Sequence, residues 1–299
     1  MPRRPRSGSC RRWRRCGRTV SRDLSKSPTI LVTVETALGS TPREAGAAMR
    51  VSAATVSGTI GGGRLEFDAI DTARTMLIAG ETMARRSVPL GPEIGQCCGG
   101  RVELSFRWLD DALVAALDRE EHRCRMQRPA VLIFGAGHTG RALANALAPL
   151  PLAVTLVDTR PDTLGGLSDA VRCVAAAMPE TLVAEAPAGA AYVVMTHDHG
   201  LDFLIAAAAL ARSDVAYVGM IGSATKRERF RRHLAADGRP GDVERLILPI
   251  GGSRLRDKRP SVIAALTAAE LAICLLNRQE ESLPRSLAGG GFECHTTVE

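Results

Sequence analysis

Three stretches of this chain combine reactive side chains with small residues that leave the backbone accessible. Gly135-Ala136-Gly137-His138-Thr139-Gly140 follows a continuous apolar run and opens a helical pattern, and Asp158 ends the next apolar run. Glycines at this spacing let the backbone close on a pyrophosphate at a helix N-terminus, while the acid can accept a ribose hydroxyl. The plainer reading is a tight turn that binds no dinucleotide. Thr196-His197-Asp198-His199 ends another apolar run. Imidazole and carboxylate at such an edge suit metal ligation, acid–base work, or a polar loop with satisfied side chains. On extended chain His197 and Asp198 point to opposite faces, and His197 and His199 share one. Gly222-Ser223-Ala224-Thr225-Lys226-Arg227 opens a basic helix, where free amides, the Ser223 hydroxyl and Lys226 form a candidate anion site. Arg229, Arg231 and Arg232 read as a solvated face.

Three more loops lie upstream. Gly39-Ser40-Thr41-Pro42-Arg43 is rich in small residues, and Gly61-Gly62-Gly63 precedes a helical pattern where it too could receive an anion. Gly95-Gln96-Cys97-Cys98-Gly99-Gly100 places adjacent thiols in a Gly-flanked turn. Thiolates bind soft metals and can accept sulfur, whereas a vicinal disulfide would be strained. A buried, passive role for at least one of them is the alternative. The other six of the eight cysteines show neither disulfide-scaffold spacing nor a CxxC pair, which suits reduced thiols in a cytoplasmic protein.

The elements that must position these residues fall into two grammars. Ile30–Val34, Ala47–Val51, Thr55–Ser57 and Arg101–Trp108 read as strands, with a helix over Arg64–Ala79. This is a small α+β unit, residues 29–109, followed by a charged helical connector, 110–129. From Ala130 strands alternate with helices, which predicts a parallel, Rossmann-like α/β sheet over 130–277. Strands are expected at Val131–Phe134, Val154–Val157, Val171–Ala175, Tyr192–Met195 and Val215–Val218. Helices are expected at His138–Leu147, Ala224–Asp237 and Ser261–Leu276, with a frayed end over 278–299. Every polar cluster of this half then sits at the carboxyl end of a strand, where open α/β sheets place ligands.

Composition narrows the function. The charge of +7 is misleading: residues 1–26 hold nine Arg, one Lys and one Asp, a net +9, so the remainder carries −2. Nucleic-acid binding therefore has no support from the folded part. The basic stretch, with few apolar residues, is expected to be a disordered tail over 1–28. We read it as upstream sequence included by a mistaken start, with a transit peptide or a basic arm as the alternatives. No apolar run approaches the ~18 residues of a membrane span, and no secretory signal follows the basic start.

In order, the segments GSTPREAGAAM (Gly39–Met49), TIGGGRLE (Thr59–Glu66), LGPEIGQCCGG (Leu90–Gly100), VLIFGAGHTGRALA (Val131–Ala144), VVMTHDHGLD (Val193–Asp202), YVGMIGSATKRERF (Tyr217–Phe230) and PIGGSRLRDKRPSVIAA (Pro249–Ala265) resemble the XdhC family, xanthine dehydrogenase accessory proteins related to CoxI. The resemblance runs from Ile30 to Leu276 and has no counterpart for the Arg-rich start. It implies a non-enzymatic chaperone of purine catabolism that carries molybdenum cofactor (molybdopterin) as cargo. Such a protein holds the cofactor during sulfuration by a cysteine desulfurase and helps insert it into the molybdenum-binding subunit of xanthine dehydrogenase or a related hydroxylase. It further implies Gly135, Gly137, His138 and Gly140 at the phosphate or pterin, and Gln96, Cys97 and Cys98 near the metal, the two thiols as candidate molybdenum contacts. Asp158, His197, Asp198, Ser223 and Lys226 complete the candidate cofactor-binding set. Self-association stays open; neither a membrane nor a nucleic-acid partner is expected. The rival reading is an NAD(P)-dependent oxidoreductase in which Asp158 or Arg160 chooses the nucleotide, although no proton donor is set aside for hydride chemistry.

Overall fold

The computed structural model describes residues 27–91, 99–252 and 257–282. The chain builds two five-stranded sheets of different kinds. The first is antiparallel, in the order β3-β2-β1-β5-β4, from β1 (Thr29–Leu38), β2 (Ala48–Ser52), β3 (Val56–Gly58), β4 (Met83–Pro89) and β5 (Arg101–Trp108). Helix α1 (Gly63–Ala79) packs on β1 and β2, burying Leu65, Ala69, Ala73 and Met76 against Ile30, Val32 and Val34. These are the i, i+4, i+8 and i+11 positions of one helical face. Strand β4 was not foreseen. Its sequence, MARRSVP, lies on the sheet's edge with five of seven residues exposed; only Ala84 and Val88 turn to the core, half-buried, which leaves too little apolar alternation to read.

Helix α2 (Asp111–Met126) is the predicted connector, started by Asp110, whose carboxylate accepts the Leu113 amide at 2.7 Å. The second sheet is wholly parallel, in the order β10-β9-β6-β7-β8. Its strands are β6 (Ala130–Phe134), β7 (Ala153–Asp158), β8 (Arg172–Ala175), β9 (Ala191–Val194) and β10 (Tyr217–Met220). Strand β6 explains why its sequence is apolar throughout. Val131 and Ile133 face one core, with α3 (His138–Leu147) and α7 (Pro260–Ser282), while Leu132 and Phe134 face another. That second core contains α4 (Thr181–Glu185), α5 (His199–Ala211) and α6 (Ala224–Ala236). A sheet covered on both faces needs no polar alternation. Each large side chain so buried contributes roughly 2 kcal/mol of transfer free energy.

Three helices depart from expectation, the first being α4, a short helix that the sequence reading did not foresee. Helix α5 begins at His199, directly after the strand-end cluster; its outward residues include Leu204, so no polar face marks the period. Helix α7 continues to Ser282, into the stretch read as frayed. Its Pro260–Asn277 window is long and apolar enough to cross a membrane by length and composition. Here Ala264, Ala268, Leu271 and Leu275 instead bury against the parallel sheet's core, and Glu270 accepts the Tyr217 hydroxyl and the Gly251 amide, both at 3.0 Å.

Candidate functional site

The strand order reverses at β6: the chain proceeds outward through β7 and β8, then returns to β9 and β10 on the other side. The crevice between the ends of β6 and β9 is the switch point, where ligands of such sheets bind. The structure brings Gly135–Gly140 and Thr196–His199 to it, with Asp158 beside the first loop; Gly135, Asp158, Thr196 and His197 line a small cleft there.

The glycines of the loop do different work. A Cβ at Gly135, whose φ is +110°, would stand 2.4 Å from the Met195 carbonyl oxygen. One at Gly140 would stand 1.9 Å from the Gly135 oxygen. Both glycines are thus required by close backbone approach within the protein. Gly137 differs: a Cβ there meets nothing within 4 Å, and its extended backbone (φ −70°, ψ −176°) suits any residue. It is the N-cap position of α3, and no side chain caps that helix. Amides at such an end remain available to an anion. His138, the first helical residue, is exposed beside it.

Asp158 is buried, and its side chain braces the loop. Oδ2 accepts the Ala136 amide at 2.7 Å, and Arg160 binds both carboxylate oxygens. Burial alone would raise its pKa, but the Arg160 guanidinium and the Ala136 and Arg160 amides together hold it at about 2.

The Thr196–His199 run is not the extended segment that the sequence suggests. Asp198 is the N-cap of α5, its Oδ1 accepting Gly200 N at 2.7 Å and Leu201 N at 3.3 Å. His199 is therefore a first-turn helical residue, so the shared-face argument for His197 and His199 does not apply. Both imidazoles are exposed. Among the described residues, no three His, Cys, Asp or Glu side chains are grouped to hold a metal ion.

Lys226 corrects a second expectation. It does not face the sheet edge as a free cation but turns inward, Nζ donating to Asp202 Oδ2 at 2.5 Å and to the Ile221 carbonyl at 2.9 Å. Asp202, fully buried, also accepts the Thr196 amide at 2.9 Å and the Thr196 hydroxyl at 2.8 Å. This buried pair ties the loop after β9 to the one after β10. Sequence reasoning missed Asp202 because its partner lies 24 residues away; an acid within an apolar helical run was the available signal. Ser223 is the exposed N-cap position of α6 and makes no side-chain cap bond.

In the small unit, Gly100 and the loops at Gly39–Arg43 and Gly61–Gly63 come together at one end of the antiparallel sheet. A Cβ at Gly100 would strike the Ser40 and Leu38 carbonyl oxygens, at 2.4 and 2.6 Å, and one at Gly61 would strike Pro42 at 2.6 Å. The expected anion place at Gly61–Gly63 is filled from within. Glu66 Oε2 accepts Thr59 Oγ1 at 2.6 Å and the Ile60 and Gly62 amides, each at 3.1 Å. Leu90 N donates to Gly100 O at 2.8 Å and Gly99 N to Leu90 O at 2.7 Å, joining the two sides of the thiol segment's base. Gln96, Cys97 and Cys98 themselves lie outside the described residues. A larger open hollow of about 430 Å³, lined by residues including Thr82, Arg107 and Trp108, contains none of the candidate residues.

Two family models match parts of the chain. Residues 131–271 match a family model described as the XdhC Rossmann domain, and residues 24–87 match one described as the XdhC and CoxI family. A solved structure from Bacillus halodurans, described as a xanthine dehydrogenase, superposes with a TM-score of 0.73 at 18% identity, covering 88% of this chain and 96% of that one. It shows the same fold. A D-isomer specific 2-hydroxyacid dehydrogenase family protein from Klebsiella pneumoniae, also 18% identical, covers 58% of this chain and 64% of its own, with a TM-score of 0.25. No curated protein matches the chain in sequence.

Proposed function

The chain belongs to the XdhC and CoxI family, and from that premise we propose that it is an accessory protein carrying molybdenum cofactor to xanthine dehydrogenase or a related molybdenum hydroxylase. The family membership supports the accessory role. The finer reading has the protein hold the cofactor while a cysteine desulfurase supplies sulfur, then pass it to the client's molybdenum-binding subunit. The cargo brings a phosphate, a pterin and an oxygen-sensitive molybdenum–dithiolene centre.

One observation carries this reading: the open position at Gly137, at the uncapped start of α3 and beside the sheet's switch point. A phosphate fits that end, with His138 and His197 at the rim for the pterin. Gln96, Cys97 and Cys98 are proposed for the metal, because thiolate is the protein group best matched to a molybdenum centre awaiting sulfur.

Anaerobic purification followed by metal analysis and pterin fluorescence tests the reading. Molybdenum and pterin in the preparation support it; bound NAD(P) in their place favours an oxidoreductase. Gly137→Val should fold normally, since a Cβ there meets no protein atom within 4 Å and the backbone is extended, yet lose cofactor by filling the cradle. A folded variant with full cofactor content would make the loop purely structural. Replacing Cys97 and Cys98 by Ser should leave a folded protein that binds molybdenum cofactor poorly and fails to activate its client.

A further inference from the structure

Asp158 is the last residue of β7, the place from which an acid in this architecture accepts ribose hydroxyls. Here the carboxylate is already engaged on both oxygens. Oδ1 accepts the Arg160 amide at 2.9 Å and Arg160 Nε at 3.0 Å. Oδ2 accepts the Ala136 amide at 2.7 Å and Arg160 Nη2 at 3.2 Å. A carboxylate offers about four lone-pair sites, so these donors fill it.

We propose that Arg160 is a specificity-determining residue that closes the ribose position, so that the crevice accepts a phosphate-bearing ligand without a ribose diol at β7 and turns NAD away. The inference rests on the reading that the Gly135–Gly140 loop receives a phosphate. The competition decides it. A ribose would offer neutral hydroxyls in place of a planar fork that carries a full positive charge, so it would forfeit the ion pair's attraction and its two-pronged geometry. It would also have to displace a guanidinium whose carboxylate partner is only 3% exposed. The depressed pKa of Asp158 keeps that partner ionised at neutral pH. The Ala136 bond to Asp158 does not involve Arg160, so the loop should keep its brace when the guanidinium is removed.

The test titrates NAD into the wild-type protein, Arg160→Ala, and the double variant Arg160→Ala/Asp158→Asn by calorimetry, with melting curves alongside. The wild type should show no binding at millimolar NAD. Arg160→Ala should bind at least about tenfold more tightly, the scale of a hydrogen bond to a charged group, and the double variant should lose that gain. Micromolar binding by the wild type overturns the proposal. So does an Arg160→Ala protein with a native melting curve and no gain. If the alanine variant melts early, Arg160→Gln keeps the length of the stem without the charge and is read in the same way. Molybdenum content of the anaerobically purified wild type is measured in parallel. Molybdenum present with no gain in NAD binding overturns this inference alone. Molybdenum absent while Arg160→Ala gains NAD supports the inference and overturns the cofactor-carrier reading.

Discussion

Two glycine-rich loops lead into long helices in this chain, and they meet the same electrostatic demand differently. Before α1, Gly61 and Gly62 precede a helix whose own first turn supplies Glu66, and that carboxylate gathers the Thr59 hydroxyl and the Ile60 and Gly62 amides. Before α3, the carboxylate that approaches the loop is Asp158, which takes only the Ala136 amide from it and gives its remaining capacity to Arg160. The α3 terminus keeps no side-chain cap. A helix N-terminus carries about half a positive charge wherever it occurs, so glycines and a helix start alone do not distinguish a ligand site. What distinguishes it is whether the protein has already answered that charge.

The same question applies to the helix starts on the other side of the crevice, where the largest effect is expected. Lys226, two residues into α6, is turned inward onto Asp202. Lys226→Met should leave a buried carboxylate without its cation, costing about 3–5 kcal/mol and lowering the melting temperature by roughly 10 °C. Adding Asp202→Asn should restore much of that loss, because an amide can still meet Thr196 while no charge stays buried. If Lys226→Met melts like the wild type but loses cofactor, Lys226 serves the ligand and the inward geometry is not the working one.

A smaller effect probes the filled loop directly. Glu66→Ala removes the acceptor shared by three donors and should cost about 1–2 kcal/mol, or roughly 4 °C. It should also turn the α1 start into the kind of end that α3 presents. Inorganic phosphate should then raise the melting temperature of Glu66→Ala more than that of the wild type. Equal responses would show that the internal carboxylate is not what separates the two loops.

Much of this architecture was legible because burial on both faces leaves a plain signature. The short apolar run Val131–Phe134, stopped by Gly135, reads as a covered parallel strand entering a tight turn, and the helix over His138–Leu147 has the predicted bounds. Strand Arg101–Trp108 was equally readable, since Val102, Leu104 and Phe106 alternate with exposed or polar positions. What failed was whatever depends on distant partners. Nothing near Lys226 in sequence signals Asp202, and nothing near Asp158 signals that Ala136 claims one of its oxygens. The cap role of Asp198 was hidden by a different cause: the helix it starts is apolar around its circumference, so His197–His199 reads as strand end and loop.

Asp198 therefore carries the finest discrimination, and the smallest expected effect. As an N-cap it satisfies two amides at the start of α5. Asp198→Ala should cost about 1 kcal/mol, roughly 3 °C in melting temperature. Asp198→Asn should cost almost nothing, because asparagine caps about as well as aspartate. Cofactor content, measured as molybdenum per chain, then separates a cap from a ligand group. If α5 is closed by its own cap as α1 is closed by Glu66, the Asn variant keeps both its stability and its molybdenum. A variant that melts normally but is depleted of molybdenum would mean that the carboxylate's charge, and not its cap geometry, is what the site uses. The open helix start of α3 would then not be acting alone.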